Sequence, residues 1–238
     1  MRMQLECRAL IMAGGRSERM RATSGPMHKA LVPVLGMPLL ERNLRMLLEA
    51  GVKDIVVAVS SAEPAIGQYL ESFGRSLVES CGAHLRILWE RDPRGTIGSA
   101  REAIQGAATL LVLNVDNLTS LPLPAFVRFH REKGAALTIA THQEPFRIPF
   151  GELVLAEDCV QQYAEKPVKP IWISSGTYVL SPEACEWILP EGRTDVPQLV
   201  ERLLAAGRHV AAFRHAAAWI DVNDADAVKQ AEREVSAI

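Results

Sequence analysis

Four charged residues stand where phosphate chemistry would need them: Arg19 and Lys29 near the N-terminus, Asp116 mid-chain and Asp221 near the end. The first two lie in LIMAGGRSERMRATSGPMHKALVPV, residues 10–34. There the apolar run Ala9–Ala13 stops at Gly14 and Gly15, and a cationic loop with Arg16, Arg19 and Arg21 leads to Lys29. Paired glycines after a strand let backbone N–H groups approach a phosphate, because no Cβ stands in the way. Arginine and lysine then supply charge-assisted bonds to polyphosphate oxygens. An ordinary strand-to-helix turn uses the same glycines.

Asp116 follows the apolar run LLVLN, so its carboxylate should emerge at a strand's end. An acid there can bind Mg2+, which takes hard oxygen ligands and often only one or two carboxylates beside phosphate oxygens. It can equally cap a turn. Asp221, in AWIDVND, is the natural second ligand. The stretch Glu90–Gly98 (ERDPRGTIG) is a glycine-spaced turn whose backbone amides could read a nucleobase edge; a plain loop with a helix cap at Thr96 competes with that reading. Glu165-Lys166-Pro167 and Ser174-Ser175-Gly176 could hold sugar hydroxyls and a sugar phosphate, or form a solvated turn. The six histidines show no metal-ligand spacing, and His28 alone lies in the phosphate loop.

These residues need a scaffold that presents loops along one rim. Up to about residue 141, short apolar runs (Ala9–Ala13, Asp54–Ser60, His84–Trp89, Thr109–Asn114, Ala136–Thr141) alternate with stretches of helical spacing (Pro38–Ala50, Pro64–Phe73, Ile97–Gly106, Pro124–Glu132). That alternation predicts an α/β fold: a mostly parallel sheet with helices on both faces. Gly51, Gly74 and Gly134 are placed to close helices. Ligands in such sheets bind beyond the carboxyl ends of the strands. From about residue 142 the rhythm changes to strands at Gly151–Ala156, Cys159–Ala164 and Ile171–Leu180, a small antiparallel excursion. A helix over Asp195–Ala206, strands at His209–Phe213 and Trp219–Val222 and a last helix from Asp224 complete one domain spanning residues 1–238.

The composition narrows the partners. Of 238 residues, 48% are apolar and 23% charged, and the net charge is −2. Without a basic run, nucleic acid and membrane surfaces are poor partners. Four scattered cysteines fit a reducing compartment, and no signal-like or membrane-length apolar stretch is present. The expectation is a soluble cytoplasmic protein, with a homo-oligomer possible.

In order along the chain, these pieces resemble the sugar-1-phosphate nucleotidyltransferases of the mannose-1-phosphate guanylyltransferase and glucose-1-phosphate thymidylyltransferase type. The family's GGxGxRMRPLT…PKPLVPV falls on Gly14–Val34, its E…LGTAG on Glu90–Gly98 and its V-x-D-N/G segment on Val115–Asn117. Its P-Y/F-G turn falls on Pro149–Gly151, its EKP on Glu165–Pro167, its N-x-G-x-Y on Ser174–Tyr178 and its W-x-D-x-G on Trp219–Asn223. The resemblance implies a Rossmann-like fold and a single-step transfer in which a sugar-1-phosphate oxygen attacks the α-phosphorus of an NTP and pyrophosphate leaves. It implies Arg19 on the β/γ phosphates, Lys29 at the α-phosphate, and Asp116 and Asp221 on Mg2+.

By the same resemblance, Met12, Ala13, Gly14, Gly15, Arg16, Ser17, Glu90, Gly95 and Thr96 would surround the nucleotide, in a part spanning about 1–141. Asn117, Gly151, Glu165, Lys166, Ser174, Ser175 and Gly176 would surround the sugar phosphate, in a part spanning about 142–238. Lys166 would take the phosphate and Glu165 the hydroxyls. If Glu90 faces the base, its carboxylate accepts both N1–H and N2–H of guanine, which favours GTP. With no C-terminal β-helix module in the sequence, control through such a module is not expected. The alternatives are a cytidylyltransferase for a non-sugar phosphate and a catalytically silent nucleotide-binding subunit.

The chain departs from the family pattern at Ser17, Ala22, His28, Ala30, Arg94, Ser174 and Asn223. Ser174 in place of the family's sugar-contacting Asn points to an unusual sugar. If Ser17 takes a positive φ, the loop carries strain of order 1 kcal/mol.

Overall fold

A computed structural model describes residues 4–234. The extreme termini, including any continuation of the last helix, lie outside the described residues. In chain order the first half runs β1 (Leu5–Ala13), α1 (Glu18–Ser24), β2 (Pro33–Val34), β3 (Met37–Pro38), α2 (Leu39–Glu49), β4 (Val52–Ser60), α3 (Pro64–Tyr69), α4 (Arg75–Ser80), β5 (His84–Glu90), α5 (Ala100–Ala103) and β6 (Leu110–Asn114). The second half runs β7 (Asn117–Thr119), α6 (Leu123–Lys133), β8 (Leu137–Arg147), β9 (Glu152–Ala156), β10 (Cys159–Ala164), β11 (Val168–Leu180), α7 (Pro182–Glu186), α8 (Val196–Ala205), β12 (Val210–Arg214), β13 (Trp219–Asp221) and α9 (Ala225–Glu234).

Seven strands form the main sheet in the order β12-β8-β11-β6-β1-β4-β5. Only β11 runs against the others, pairing antiparallel with β6 and β8. The fold is therefore the mostly parallel mixed sheet that the apolar rhythm predicts, in the Rossmann-like arrangement that the resemblance implies. Successive side chains of a strand point to opposite faces, and here both faces are covered. Ala9, Ile11, Ile55, Val57 and Val59 pack under Leu40, Leu44, Leu47 and Phe126 from α2 and α6. Leu10, Val56, Ala58 and Val112 pack on the other face against Ala100, Ala103, Leu199 and Leu203 from α5 and α8. Burial on both sides is why these strands read as unbroken apolar runs. A third cluster sits beyond the sheet's carboxyl end, where Met20, Val32, Leu39, Leu118, Ile220 and Val222 hold α1, the β2–β3 hairpin and the β7–β13 pair together.

Several local expectations change. The cationic stretch after Gly15 is not all loop, because Glu18–Ser24 winds into α1. Gly74 closes no helix: it has helical dihedrals, and the chain passes through a π turn at Leu70–Gly74 into α4. A side chain at Gly74 would crowd Leu70, so glycine serves packing there. Helical spacing over Ile97–Gly106 yields only α5, flanked by turns. Strand β8 continues six residues past Thr141, and its far half pairs with the start of β11 to carry the β9–β10 excursion outward.

Candidate functional site

Strands β1 and β6 are neighbours in the sheet, and their carboxyl ends open on a cleft of about 480 Å³. Met12, Gly14, Gly15, Arg16, Gly95, Thr96, Lys29 and Asp116 all line it. Ser17 and Arg19 line an adjoining cavity of about 450 Å³ that shares Gly15, Arg16 and Lys29 with the first. Topology thus gathers these residues from four separate stretches of sequence. Ala13 faces the core instead and is buried against the apolar layer. Arg21 turns away to pair with Glu63, so it adds no free charge to the loop.

At the cleft floor the Lys29 ammonium donates to Asp116 Oδ2 and, at 3.3 Å, to Asn223 Oδ1. The Asn223 amide donates in turn to Asp221 Oδ2. The backbone fixes the same arrangement, because β13 pairs with β7 so that Asp221 faces Asn117, and Val222 N donates to the Asp116 carbonyl at 2.9 Å. Burial and the nearby Asp116 charge push the Asp221 carboxyl up to about 6, against the opposing pull of Lys29 and Arg19. Two carboxylates this close, one of them with its ionisation opposed by burial and by its neighbour's charge, form a site that favours a cation. Both offer hard oxygen donors. The departure at Asn223 has a physical role, since its amide bridges the lysine and the second acid.

The loop's other departures act as struts. His28, buried, donates from Nε2 to the Gly15 carbonyl at 2.6 Å and accepts at Nδ1 from Ala30 N at 3.1 Å. Burial lowers its pKa, which keeps the ring neutral and bonded on both nitrogens. Ser17 does take the left-handed conformation, at φ 53°. Its hydroxyl accepts from Lys29 N at 3.2 Å, a bond that glycine there could not make. A Cβ at Gly15 would meet nothing within 4 Å, so that glycine faces open space as a phosphate cradle requires.

Glu90 sits elsewhere than the base-reading expectation put it. Its carboxylate lies behind Gly14, where any Cβ would strike it, and accepts from the Ser99 hydroxyl. It is buried and is not part of the cleft wall, and burial raises its pKa. Gly95 and Gly98 are required by close backbone approach, to Thr194 and to Arg94 respectively. Thr96 N donates to Asp195 Oδ1 at 2.9 Å while its hydroxyl accepts from Val196 N, so Thr96 helps to cap α8 rather than its own helix. Arg193 and Asp195, paired at 2.8 Å, complete the cleft wall. The sequence reading missed both as site residues. The Asp195…Gln198 capping box marks the helix start, but no local signal brings that start to the glycine loop.

The second half of the molecule holds its candidates differently. Asn117 donates to the Ser175 carbonyl at 2.7 Å, and Trp219 Nε1 donates to the same oxygen at 2.8 Å. The Ser175 hydroxyl lies 2.8 Å from both His142 Nδ1 and His215 Nε2. Gly176, at φ 66°, presses against Asn114 and Asn117, leaving no room for a side chain. Asn117, Ser175 and Gly176 therefore lock a turn beside Asp116. His142, His215 and Trp219 belong to that lock and were not singled out by spacing. Ser174 is exposed, its hydroxyl 3.0 Å from Tyr178 OH. Gly151, Glu165 and Lys166 lie farther along the excursion, exposed, with Tyr163 OH donating to Glu165 at 2.9 Å; none of the three lines the cleft.

The sheet order, the glycine loop and the paired acids define an α/β protein with a cleft suited to phosphate groups at its strand ends. The sequence model of the nucleotidyl transferase family matches residues 8–237, and the chain belongs to that family. It is 28% identical over 222 residues to the mannose-1-phosphate guanylyltransferase catalytic subunit beta of Drosophila pseudoobscura pseudoobscura, covering 90% of this chain and 58% of that protein. It is 29% identical over 189 residues to the protein of the same name from Xenopus tropicalis, covering 76% of this chain and 51% of that one. The chain thus spans only about half to three-fifths of these relatives' length. Its fold matches HddC from Yersinia pseudotuberculosis complexed with GMP-PN, with TM-score 0.73, 23% identity and coverage of 96% and 99% of the two chains. It also matches a putative glucose-1-phosphate thymidylyltransferase from Bacillus anthracis in complex with a sucrose, with TM-score 0.75, 16% identity and coverage of 97% and 96%. Among the described residues no helix is long and apolar enough to cross a membrane.

Proposed function

We propose that the protein transfers a nucleotidyl group from an NTP, GTP by preference, to a sugar 1-phosphate, forming an NDP-sugar and pyrophosphate with Mg2+. The observation that carries this reading is the Lys29–Asp116–Asn223–Asp221 cluster at the floor of a cleft edged by Gly14 and Gly15.

In-line displacement at phosphorus needs positioning and charge neutralisation rather than a covalent intermediate. Lys29 has three N–H donors, so it can keep Asp116 while donating to an α-phosphate oxygen. Arg19 and Arg16, along the adjoining cavity, are placed for the departing β and γ phosphates. Asp116 and Asp221 would hold Mg2+, which supplies Lewis-acid neutralisation of the phosphate oxygens. A cation held there would also offset the burial cost and the Asp116 repulsion that lift the Asp221 pKa. The locked turn at Ser174–Gly176 offers the acceptor's side of the reaction a fixed edge, and Glu165 and Lys166 are the candidates for sugar hydroxyls and sugar phosphate.

The GTP preference is supported by the names of the guanylyl-transferring relatives and by the GMP-PN bound to the Yersinia neighbour. Since Glu90 is turned away, base selection falls to the residue 93–96 turn and Arg193–Asp195. A pyrophosphate-release screen of four ribo-NTPs and dTTP against a sugar-1-phosphate panel, with and without Mg2+, tests the reading. Mg2+-dependent release with GTP and one sugar is expected. Release with CTP and a polyol or choline phosphate, or nucleotide binding with no release on the whole panel, would overturn it.

A further inference from the structure

Four side chains outside the Lys29–Asp116–Asn223–Asp221 cluster form an unbroken hydrogen-bond relay. Glu144 Oε1 lies 3.0 Å from His142 Nε2, and His142 Nδ1 lies 2.8 Å from the Ser175 hydroxyl. The same hydroxyl lies 2.8 Å from His215 Nε2. His142 and Glu144 come from β8, Ser175 from β11, and His215 from just past β12. His142 and Ser175 are buried, whereas the Glu144 side chain, on the outward half of β8, is 46% exposed. A serine bonded to an imidazole that is itself oriented by a carboxylate is the arrangement of an activated nucleophile. Ser175 is only 1% exposed, however, and its oxygen already has two ring nitrogens against it. The relay serves another purpose.

Proton counting gives it a direction. An ionised carboxylate only accepts, so His142 must carry its proton on Nε2 and present a bare Nδ1. The Ser175 hydroxyl then donates to that Nδ1, and its oxygen accepts from His215 Nε2–H. His215 Nδ1 is left without a proton, and this atom is buried with no hydrogen-bond partner among the described residues. Burial and the neighbouring His142 lower the His215 pKa, which keeps the ring neutral. The Ala217 backbone pulls the other way and favours a proton on His215. With that proton on Nδ1, His215 Nε2 would accept from Ser175 and every bond would reverse. His142 would then face Glu144 with a bare nitrogen. A bond to an ionised acceptor is roughly twice as strong as one between neutral groups. The Glu144 end therefore decides, and the Ala217 end goes unsatisfied.

We propose that Glu144 is a positioning residue for the acceptor side of the site: it fixes the His142 tautomer and, through Ser175, holds the Ser174–Gly176 turn against the strands that carry the two acids. The route is short. The Trp219 ring packs on His142 at 4.7 Å, and its Nε1 donates to the Ser175 carbonyl at 2.8 Å. Asn117 donates to that same carbonyl at 2.7 Å. Asn117 follows Asp116, and Trp219 lies two residues before Asp221. An acid on the exposed extension thus orients the wall of the site through the groups behind it. The effect on acceptor affinity rests on the proposed nucleotidyl transfer; the direction of the relay does not.

Isotopic labelling of the histidine nitrogens, with long-range proton–nitrogen spectra recorded above the ordinary histidine pKa, reads the tautomers in the full chain. Spectra of His142→Gln and His215→Gln supply the assignments. Both rings are expected as Nε2–H. Glu144→Ala should switch both to Nδ1–H, because the Ala217 end then decides. Glu144→Gln should keep Nε2–H, since its amide oxygen still accepts. In steady-state kinetics Glu144→Ala should raise KM for the sugar phosphate about fivefold, the worth of one hydrogen bond, with kcat and KM for the NTP within about twofold. Glu144→Gln should restore the parent's values. An Nδ1–H tautomer at His142 in the parent, or Glu144→Ala with the parent's spectra or acceptor KM, would overturn the proposal. So would Glu144→Gln kinetics as poor as those of Glu144→Ala, which would make the charge rather than the bond the working feature. The spectra need no substrate, so they decide the assignment whether or not transfer is found; absence of transfer would overturn the proposed function alone.

Discussion

At the carboxyl ends of β1 and β6, Lys29, Asp116, Asn223 and Asp221 are bound to one another and to paired backbone. On the β8–β11 extension, Gly151, Glu165 and Lys166 stand exposed, and only Tyr163 reaches Glu165. The first region is held before any ligand arrives; the second reaches the body only through two long strands and the locked Ser174–Gly176 turn. Transition-state charge stabilisation depends on donors that are already oriented, which suits the first region. Choice among acceptors tolerates looser placement. Under the proposed function, reaction rate therefore belongs to the first region and acceptor affinity to the second.

The largest expected effect comes from breaking the first region. Asp116→Asn or Lys29→Met should lower kcat by about 10²–10³-fold, with the melting temperature within a few degrees of the parent. A fall in melting temperature that accounts for the lost rate would make the cluster a structural one. In the second region, Ser175→Ala removes the hydroxyl shared by His142 and His215. Two lost bonds at about 0.5–1.5 kcal/mol each should raise KM for the sugar phosphate about tenfold and leave KM for the NTP within twofold. Equal shifts in both constants would erase the division of labour.

Stability should follow pH through His130, which is buried near the sheet and bonded to Thr138 Oγ1 at 2.8 Å. Burial lowers its pKa from 6.5 to about 4. Between those values the unfolded chain binds the extra proton, so this contribution is complete above pH 6.5 and is lost as pH falls toward about 4. At about 1.4 kcal/mol per pH unit, the loss approaches about 3 kcal/mol. Urea midpoints at pH 7 and pH 5 check it, and His130→Gln should flatten the difference. The smallest effect belongs to Ser17. Ser17→Gly relieves the positive φ and loses the bond to Lys29 N, two opposing changes of about 1 kcal/mol, so stability should barely move. Ser17→Ala keeps the strain without the bond and should cost about 1 kcal/mol in chemical denaturation.

Much of the first region could be read from the chain, because its residues sit at ends of apolar runs. Asp116 after LLVLN and Gly14 after Ala13 occupy strand ends whose placement follows from parallel pairing alone. The parallel strands of the main sheet followed from the same runs, whereas Ile171–Leu180, expected in the antiparallel excursion, enters the main sheet as part of β11 between β8 and β6. What escaped reading depends on contacts distant in sequence. Glu90 is a strand-end acid like Asp116, yet Gly14 and Ser99 draw it inward, away from any base. Arg193 reaches the cleft only because α8 begins against the Gly95 turn. His142 on β8 and His215, just past the end of the neighbouring β12, converge on Ser175 of β11. The helix in the cationic loop was hidden by Arg, Ser and Thr, which are compatible with either state, and is held by Met20 in the cluster beyond the sheet.

In the proposed reaction the new bond forms at the α-phosphorus. Its most direct test is product analysis of the purified protein with Mg2+, GTP and the acceptor sugar 1-phosphate that the screen selects. Mass spectrometry should find GDP-sugar and pyrophosphate in equal amounts, with both products lost in Asp116→Asn. GDP with inorganic phosphate or a phosphorylated sugar would place the reaction at the γ-phosphorus and overturn the proposed function.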